Sequence, residues 1–210
     1  MDNYTVREAI MRVEAWYDNN VLNVIEMVSM QMLTESETDP VLKEVISTLD
    51  LAVIGEKGIL QAAGVDTMQR IRETEENDFS DEFLKRVERN RKSVFVIGET
   101  QEAVDELIQE LSEEYPKLVL AGAAATENCV GDLEGVINEL NAATPAVIIS
   151  IIPSPKQEHF LVEHRDKINA NLWYGIGGFE VHRKRSKIKG FFFNLIQRIR
   201  LKNSIEKYES

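Results

Sequence analysis

The chain has 210 residues, of which 43% are hydrophobic, and a formal net charge of −12 at pH 7. This composition fits one folded domain with a sizeable core, and an acidic surface of this kind repels nucleic acid. The single cysteine excludes an intramolecular disulfide, no apolar stretch reaches the ~20 residues that cross a bilayer, and the N-terminus lacks signal-peptide features. We therefore expect a cytoplasmic protein with no nucleic-acid partner.

The first half of the chain alternates between helical and strand patterns. Apolar residues recur at helical spacing after Thr5, which can cap a helix, and Asp39 before Pro40 is a common helix start. The polar stretch 66–77 has no clear periodicity, so the next helix is expected to begin at a Ser80 cap. The predicted elements are a helix over 5–19, a strand over 21–28, a helix over 38–49, a strand over 49–55 and a helix over 80–90.

The second half shows a more regular alternation. Its strands are apolar throughout and its helices are amphipathic, a pattern typical of a parallel sheet that is covered on both faces. We therefore predict an α/β fold with a doubly wound, mostly parallel, Rossmann-like sheet, in a single domain over 1–180. The predicted strands cover 93–98, 117–125, 146–152 and 171–178, and the helices cover 99–116, 131–144 and 155–168.

Four short segments are expected at the carboxyl ends of these strands, where open parallel sheets bind ligands. Each also has a simpler interpretation as a turn between a strand and a helix, and neither GEKG nor GET matches a phosphate-binding fingerprint. Paired glycines in GIGG allow the backbone to approach a ligand closely. The segments are GEKG at 55–58, GET at 98–100, PSPKQE at 153–158 and GIGG at 175–178.

The segment PSPKQE can be explained by helix initiation alone. Ser154 can cap a helix, Pro155 suits its first position, and Gln157 completes a Ser-x-x-Gln capping box. Lys156 and Glu158 are compatible with a solvated first turn. A ligand-binding role for the segment stays open beside this interpretation.

Other kinds of catalytic centre find no support in the sequence. The three histidines do not form an HExxH motif, and no Asp-x-Asp pair is present to hold a divalent metal. There is no G-x-S-x-G elbow, and Cys129 has no evident base beside it. We expect neither a metal site nor a hydrolytic nucleophile.

The C-terminal segment 181–210 differs sharply from the rest of the chain. Residues 181–205 contain eight Lys or Arg and no Asp or Glu. Apolar residues recur on one face with the basic residues around them, as in helices that lie on anionic membranes. The alternative is a helix that packs on the acidic body of the protein. The candidate membrane contacts are Arg183, Lys184, Arg185, Phe191, Phe192 and Arg198.

The chain contains, in this order, VFVIG, an acidic helix ending in YP, VINELNAATPAVIISIIPSPKQEHFLVEHRDKI and YGIGG. This order of motifs resembles the WecG/TagA/CpsF glycosyltransferases, glycosyltransferase family 26. It implies transfer of an N-acetylhexosamine, typically N-acetylmannosamine, from a UDP-sugar to a polyprenyl-diphosphate-linked sugar in the synthesis of bacterial cell-surface polymers. It also implies no metal or other cofactor and a basic C-terminal segment at the membrane. A homo-oligomer is compatible with the sequence.

The resemblance also implies roles for individual residues. Residues 1–92 would form the acceptor side and 93–180 the nucleotide-sugar-binding half. Gln157 falls on the glutamine of the family motif PKQE, which would contact the donor. The other implied donor-site residues are Gly98, Ser154, Lys156, Glu158, Gly177 and Gly178.

Several positions depart from the family pattern. Met27 and Ser29 replace a strand-ending Thr-x-Asn, and Gly55 aligns with the Asp that is the presumed base. Glu56, one position away, is the candidate substitute. The sequence therefore predicts a divergent transferase with a degraded catalytic centre or, alternatively, a non-catalytic descendant that binds a nucleotide sugar or glycan as a regulatory module.

Overall fold

One parallel sheet contains strands from both halves of the chain. The computed structural model describes residues 4–19, 21–129 and 133–177, in which six strands pair in the order β2-β1-β6-β5-β3-β4. All five strand pairs are parallel. The strands are β1 (Asn23–Val28), β2 (Leu51–Ile54), β3 (Ser93–Gly98), β4 (Val119–Ala125), β5 (Val147–Ser150) and β6 (Leu172–Gly175).

Helices cover both faces of the sheet. Two helix starts agree with the sequence: Thr5 forms a capping box with Glu8, and the Asp39 side chain accepts hydrogen bonds from Val41 N and Leu42 N. The helices among the described residues are α1 (Val6–Trp16), α2 (Met30–Glu35), α3 (Pro40–Thr48), α4 (Lys57–Ala62), α5 (Met68–Glu76), α6 (Asp78–Arg89), α7 (Gln101–Glu114), α8 (Glu134–Ala143) and α9 (Lys156–His164).

Each face of the sheet has its own buried core. On one face, α1, α6 and α7 contribute Val13, Phe83 and Leu107 to the largest hydrophobic cluster. On the other face, α8 and α9 contribute residues such as Leu140 and Phe160, and α3 packs on α9. Helices on both faces of a parallel sheet confirm the predicted doubly wound α/β fold.

The connections after two neighbouring strands leave the sheet on opposite faces. The helix α7 follows β3 and packs on the first face, whereas α9 follows β5 and packs on the second. Such a switch point opens a crevice at the carboxyl ends of the strands, where ligands bind in folds of this kind. The crevice here lies between the loops that follow β3 and β5.

Three parts of the predicted secondary structure are wrong. The stretch 66–77, expected to be irregular, contains α5, whose N-terminus is capped by Thr67. The next helix, α6, begins at Asp78, so Ser80 lies inside it, where its hydroxyl is 2.5 Å from the Tyr174 hydroxyl. The short helices α2 and α4 were not predicted because six residues are too few for a clear helical period.

No helix within the described ranges is long and apolar enough to cross a membrane. The segment 181–210, with all six candidate membrane contacts, lies outside the described residues. The prediction that this segment binds a membrane therefore stays a prediction.

Candidate functional site

A glutamate on an inner strand of the sheet lies under the first turn of α9. Glu26 is on β1, on the same face as Val24, which packs in the core beneath α9. Its side chain is fully buried, as is that of Glu158, and Gln157 is 1% exposed. Gln157 Nε2 donates a hydrogen bond of 3.0 Å to Glu26 Oε1. Glu26, Gln157 and Glu158 are called the acid–amide cluster below.

Gly175 on β6 makes room for this cluster. Its Cα is the register partner of Glu26 across the β1–β6 pair. A β-carbon added at Gly175 would lie 2.4 Å from Gln157 Nε2, a distance that side-chain carbons do not adopt. The first glycine of GIGG therefore leaves the space that the amide of Gln157 occupies.

Gly177 is required by a backbone contact. A β-carbon added there would lie 1.8 Å from Ile152 O, in the loop after β5. The chain after β6 thus passes directly against the segment that leads into PSPKQE. These two glycines bring GIGG and PSPKQE together, as the resemblance implies for residues of one site, whereas Gly178 lies outside the described residues.

Burial controls the ionisation of the cluster. It raises the pKa of Glu26 well above its ordinary value, and the nearby charge of Glu158 raises it further, although the hydrogen bond from Gln157 acts in the opposite direction. Burial is also the main reason why the pKa of Glu158 is raised. Two carboxyl groups that share a buried site resist ionising together.

The predicted capping box at the start of α9 does not form. The cap position is Pro155, which follows a cis peptide bond from Ser154, and no side chain caps this helix. Gln157 reaches into the sheet instead, because Glu26 supplies an acceptor there. Helix initiation therefore does not explain Gln157, and its contact with a sugar donor stays a prediction.

Lys156 and Glu99 face each other across the switch-point crevice. The Lys156 ammonium donates to the Glu99 carboxylate, and the Lys156 side chain is 64% exposed. Glu127 adds a further carboxylate, which accepts from Gln101 N at the start of α7 at 2.6 Å. Lys156, Glu99 and Glu56, all in loops or first turns at this edge, are called the edge-loop charges below.

Glu56 joins two elements at the same edge. It precedes α4, and its Oε1 accepts a hydrogen bond of 3.0 Å from Met30 N, the first residue of α2. Ser29 Oγ accepts from Met32 N in the same turn. The carboxylate thus satisfies a free N–H at the start of a helix. A role as the catalytic base remains a prediction.

Gly98 has a packing reason to be glycine. A β-carbon there would lie 2.7 Å from Val104 Cγ2 and 3.0 Å from Ile151 Cγ1, both in the core. The residue nevertheless ends β3 at the crevice. Its predicted contact with a donor is not tested by this geometry.

Sequence reasoning missed Glu26, although the sequence contained a signal for it. The strand Asn23–Val28 has an acidic residue between apolar neighbours, and all six of its residues are buried. A carboxyl group is rarely buried unless it has a partner or a function. The described residues thus contain carboxyl groups beside Gln157, and the expectation of a degraded catalytic centre finds no support in them.

Comparison with known proteins gave one family and several distant relatives. The family model described as "Glycosyl transferase WecG/TagA/CpsF family" matches residues 1–182. Proteins of Staphylococcus aureus strains NCTC 8325 / PS 47 and COL are 22% identical over 182 residues, covering 84% of this chain and 70% of theirs. Both are named N-acetylglucosaminyldiphosphoundecaprenol N-acetyl-beta-D-mannosaminyltransferase.

Proposed function

This chain belongs to the WecG/TagA/CpsF family of glycosyltransferases, and on that premise we propose that it transfers an N-acetylmannosamine-type sugar from a UDP donor to a polyprenyl-diphosphate-linked sugar. The product would serve the synthesis of a bacterial cell-wall polymer. The observation that carries the proposal is the family match, which includes all six strands and PSPKQE. The relatives supply the sugar and the acceptor, since their name states both.

The donor is proposed to bind in the crevice between the loops after β3 and β5. Lys156 is an exposed cation there, and it would exchange its contact with Glu99 for the donor diphosphate. Gln157 and Glu158 lie beneath Lys156 and are buried, so the residues that cover them have to move before a donor can contact them. Ser154, Gly98 and Gly177 complete the proposed donor contacts.

The reaction requires a displacement at the anomeric carbon of the donor. The acceptor hydroxyl oxygen forms a bond to this carbon while the bond from the carbon to the UDP oxygen breaks, and UDP leaves with the electron pair. The hydroxyl proton passes to a base within hydrogen-bond reach. We assign this role to Glu56, whose carboxylate lies at the carboxyl edge beside the start of α2.

The C-terminal segment is proposed to bring the enzyme to its lipid-linked acceptor. The eight basic residues of 181–205 would contact an anionic bilayer surface, with Phe191 and Phe192 in the interface. Flotation with liposomes checks this: binding that requires anionic lipid is expected. Equal failure with neutral and anionic liposomes would favour a segment that packs on the protein.

A transfer assay tests the central proposal. The protein is incubated with UDP-N-acetylmannosamine and a polyprenyl-diphosphate N-acetylglucosamine, and the product is identified by its mass. We expect transfer by the wild type and strong loss in Gln157→Ala. The matched control is Gln109→Ala, because Gln109 is an exposed glutamine on α7 that bonds only to Glu113 among the side-chain contacts described.

Calorimetry with the same donor separates the two remaining alternatives. Donor binding without transfer to any acceptor would favour the non-catalytic binding module. Absence of both binding and transfer would refute the proposed function.

A further inference from the structure

The acid–amide cluster contains more hydrogen-bond acceptors than donors. Gln157 Nε2 donates to Glu26 Oε1 and lies 3.5 Å from Glu158 Oε1. Like the nearby Ser154 Oγ, three other oxygens of the cluster are buried without a hydrogen-bond partner among the described residues: Glu26 Oε2, Gln157 Oε1 and Glu158 Oε2. An ionised carboxylate only accepts, so a cluster with both glutamates ionised cannot satisfy these atoms by itself. Interactions with its own backbone N–H, with the Ser154 hydroxyl and with Gln157 lower the pKa of Glu158, whereas the hydrogen bond that lowers the pKa of Glu26 comes from Gln157.

No basic side chain within the described ranges forms an ion pair with Glu26 or Glu158. The register partners of Glu26, Ala52 on β2 and Gly175 on β6, carry no charge. The titratable groups that act on the cluster come from α9, namely Glu158 itself and the exposed His159, which is bonded to Asp39 at the start of α3. A buried carboxyl group with no cation beside it is more stable in its neutral form.

We propose that Glu26 is a neutral carboxylic acid at pH 7 and that it fixes the amide of Gln157, and with it the first turn of α9. The acid O–H supplies the donor that the cluster lacks, while Glu26 Oε1 continues to accept from Gln157. Glu26 is then a positioning residue for the edge where Lys156 is exposed. The part of this inference that concerns the sugar donor rests on the proposed function.

The burial of the cluster and the direction of the pKa change of Glu26 both favour a protonated Glu26. Glu26 is fully buried, as is Glu158. Burial raises the pKa of Glu26 first, and the charge of Glu158 raises it second. Because the folded pKa lies above the unfolded one, the folded state holds a proton that the unfolded state releases above about pH 4.5. Folding is therefore favoured by this group at low pH, and the advantage is lost as the pH rises through the folded pKa.

Unfolding in denaturant from about pH 5 to about pH 9 tests the proton without reference to any substrate. We expect the unfolding equilibrium constant of the wild type to rise relative to that of Glu26→Gln by up to tenfold per pH unit, the limit for one proton. A ratio that stays constant over this range would overturn the proposal. The proposal would also be overturned if the pH dependence of the unfolding equilibrium constant disappeared in Glu158→Gln but persisted in Glu26→Gln. The proton would then reside on Glu158.

Infrared spectroscopy gives a second test that keeps Glu26 unchanged. Glu110 must be replaced first, because burial raises its pKa to about 8 and it would contribute the same signal. In a Glu110→Gln, Glu158→Gln protein labelled with ¹³C-glutamate, we expect a protonated-carboxyl band at pH 7. Absence of this band from the folded protein would refute a neutral Glu26.

Binding of UDP-N-acetylmannosamine tests the positioning role. Glu26→Leu removes the hydrogen-bond partner of Gln157. We expect the affinity of this variant for UDP-N-acetylmannosamine to fall about tenfold, the equivalent of one hydrogen bond of about 1.4 kcal/mol. Glu26→Gln offers both a donor and an acceptor and should restore most of that loss, with an affinity that no longer weakens at high pH. Unchanged binding in Glu26→Leu would refute positioning. If the wild type does not bind, the proposed function fails, while the two tests of the proton keep their results.

Discussion

Two groups of polar residues lie near the carboxyl ends of the strands in opposite environments. The acid–amide cluster lies under α9 with Glu26 and Glu158 fully buried, whereas the Lys156 side chain among the edge-loop charges is 64% exposed. Water screens an exposed ion pair, and such pairs contribute about 0–1 kcal/mol to stability. A buried carboxyl group leads instead to a shifted pKa and a required hydrogen-bond partner. Proximity to a site therefore does not predict how strongly a residue is coupled to the fold.

Gly177→Ala is expected to have the largest effect on the free energy of unfolding. The added methyl group would meet Ile152 O, a backbone atom that cannot rotate away, so we expect a loss of about 3 kcal/mol. Denaturant unfolding measures this loss. The matched control is Gly58→Ala in α4, where the nearest atom is 3.9 Å away, and a gain of about 0.5–1 kcal/mol is expected there. Equal effects in the two variants would contradict the close contact between GIGG and the β5 loop.

Gly175→Ala should cost less, about 1–2 kcal/mol, because the atom in the way belongs to a side chain that can move. The methyl group displaces the Gln157 amide and breaks its hydrogen bond to Glu26. Stability and donor affinity should therefore fall together. The proposed link between them would be contradicted by a variant that unfolds more easily but binds the donor as the wild type does.

Glu56→Ala is expected to lower stability by about 1 kcal/mol, the usual cost of losing an N-terminal helix contact. As the proposed base, Glu56 should matter far more for transfer, with a loss of roughly 10²-fold or more. Comparison with Ser29→Ala, which removes the neighbouring cap of α2, separates these effects. Similar rates in the two variants would exclude Glu56 as the base.

Lys156→Ala should have the smallest effect on stability, within about 0.5 kcal/mol, since its ion pair with Glu99 is exposed. Donor affinity should nevertheless fall in calorimetry, because the variant loses the cation proposed to meet the diphosphate. Glu99→Gln is the matched control: it frees Lys156 and should bind the donor at least as well as the wild type. A large loss of stability in Lys156→Ala would contradict the proposed difference in stability contribution between the edge-loop charges and the acid–amide cluster.

Most of the fold could be predicted because the strands are short apolar runs and the helices have apolar faces. The errors occurred where local signals were weak or had two meanings. The helix Met68–Glu76 has no buried residue, so its sequence carries no apolar stripe. Ser154 and Gln157 fit a capping box, but the partner that draws Gln157 away is Glu26, 131 positions distant along the chain. The two residues meet only when β6 pairs with both β1 and β5 in the folded sheet, so the acid–amide cluster could not be predicted from either segment alone.

The position of β6 in the sheet has a consequence for synthesis of the protein. It is the last strand among the described residues, yet it lies between β1 and β5 and pairs with both. Until the ribosome has released this strand, β1 and β5 each expose an unpaired edge, which in other proteins invites association with further chains. A nascent chain that ends before Leu172 should therefore hold two separate sheet fragments, and it is a natural substrate for chaperones.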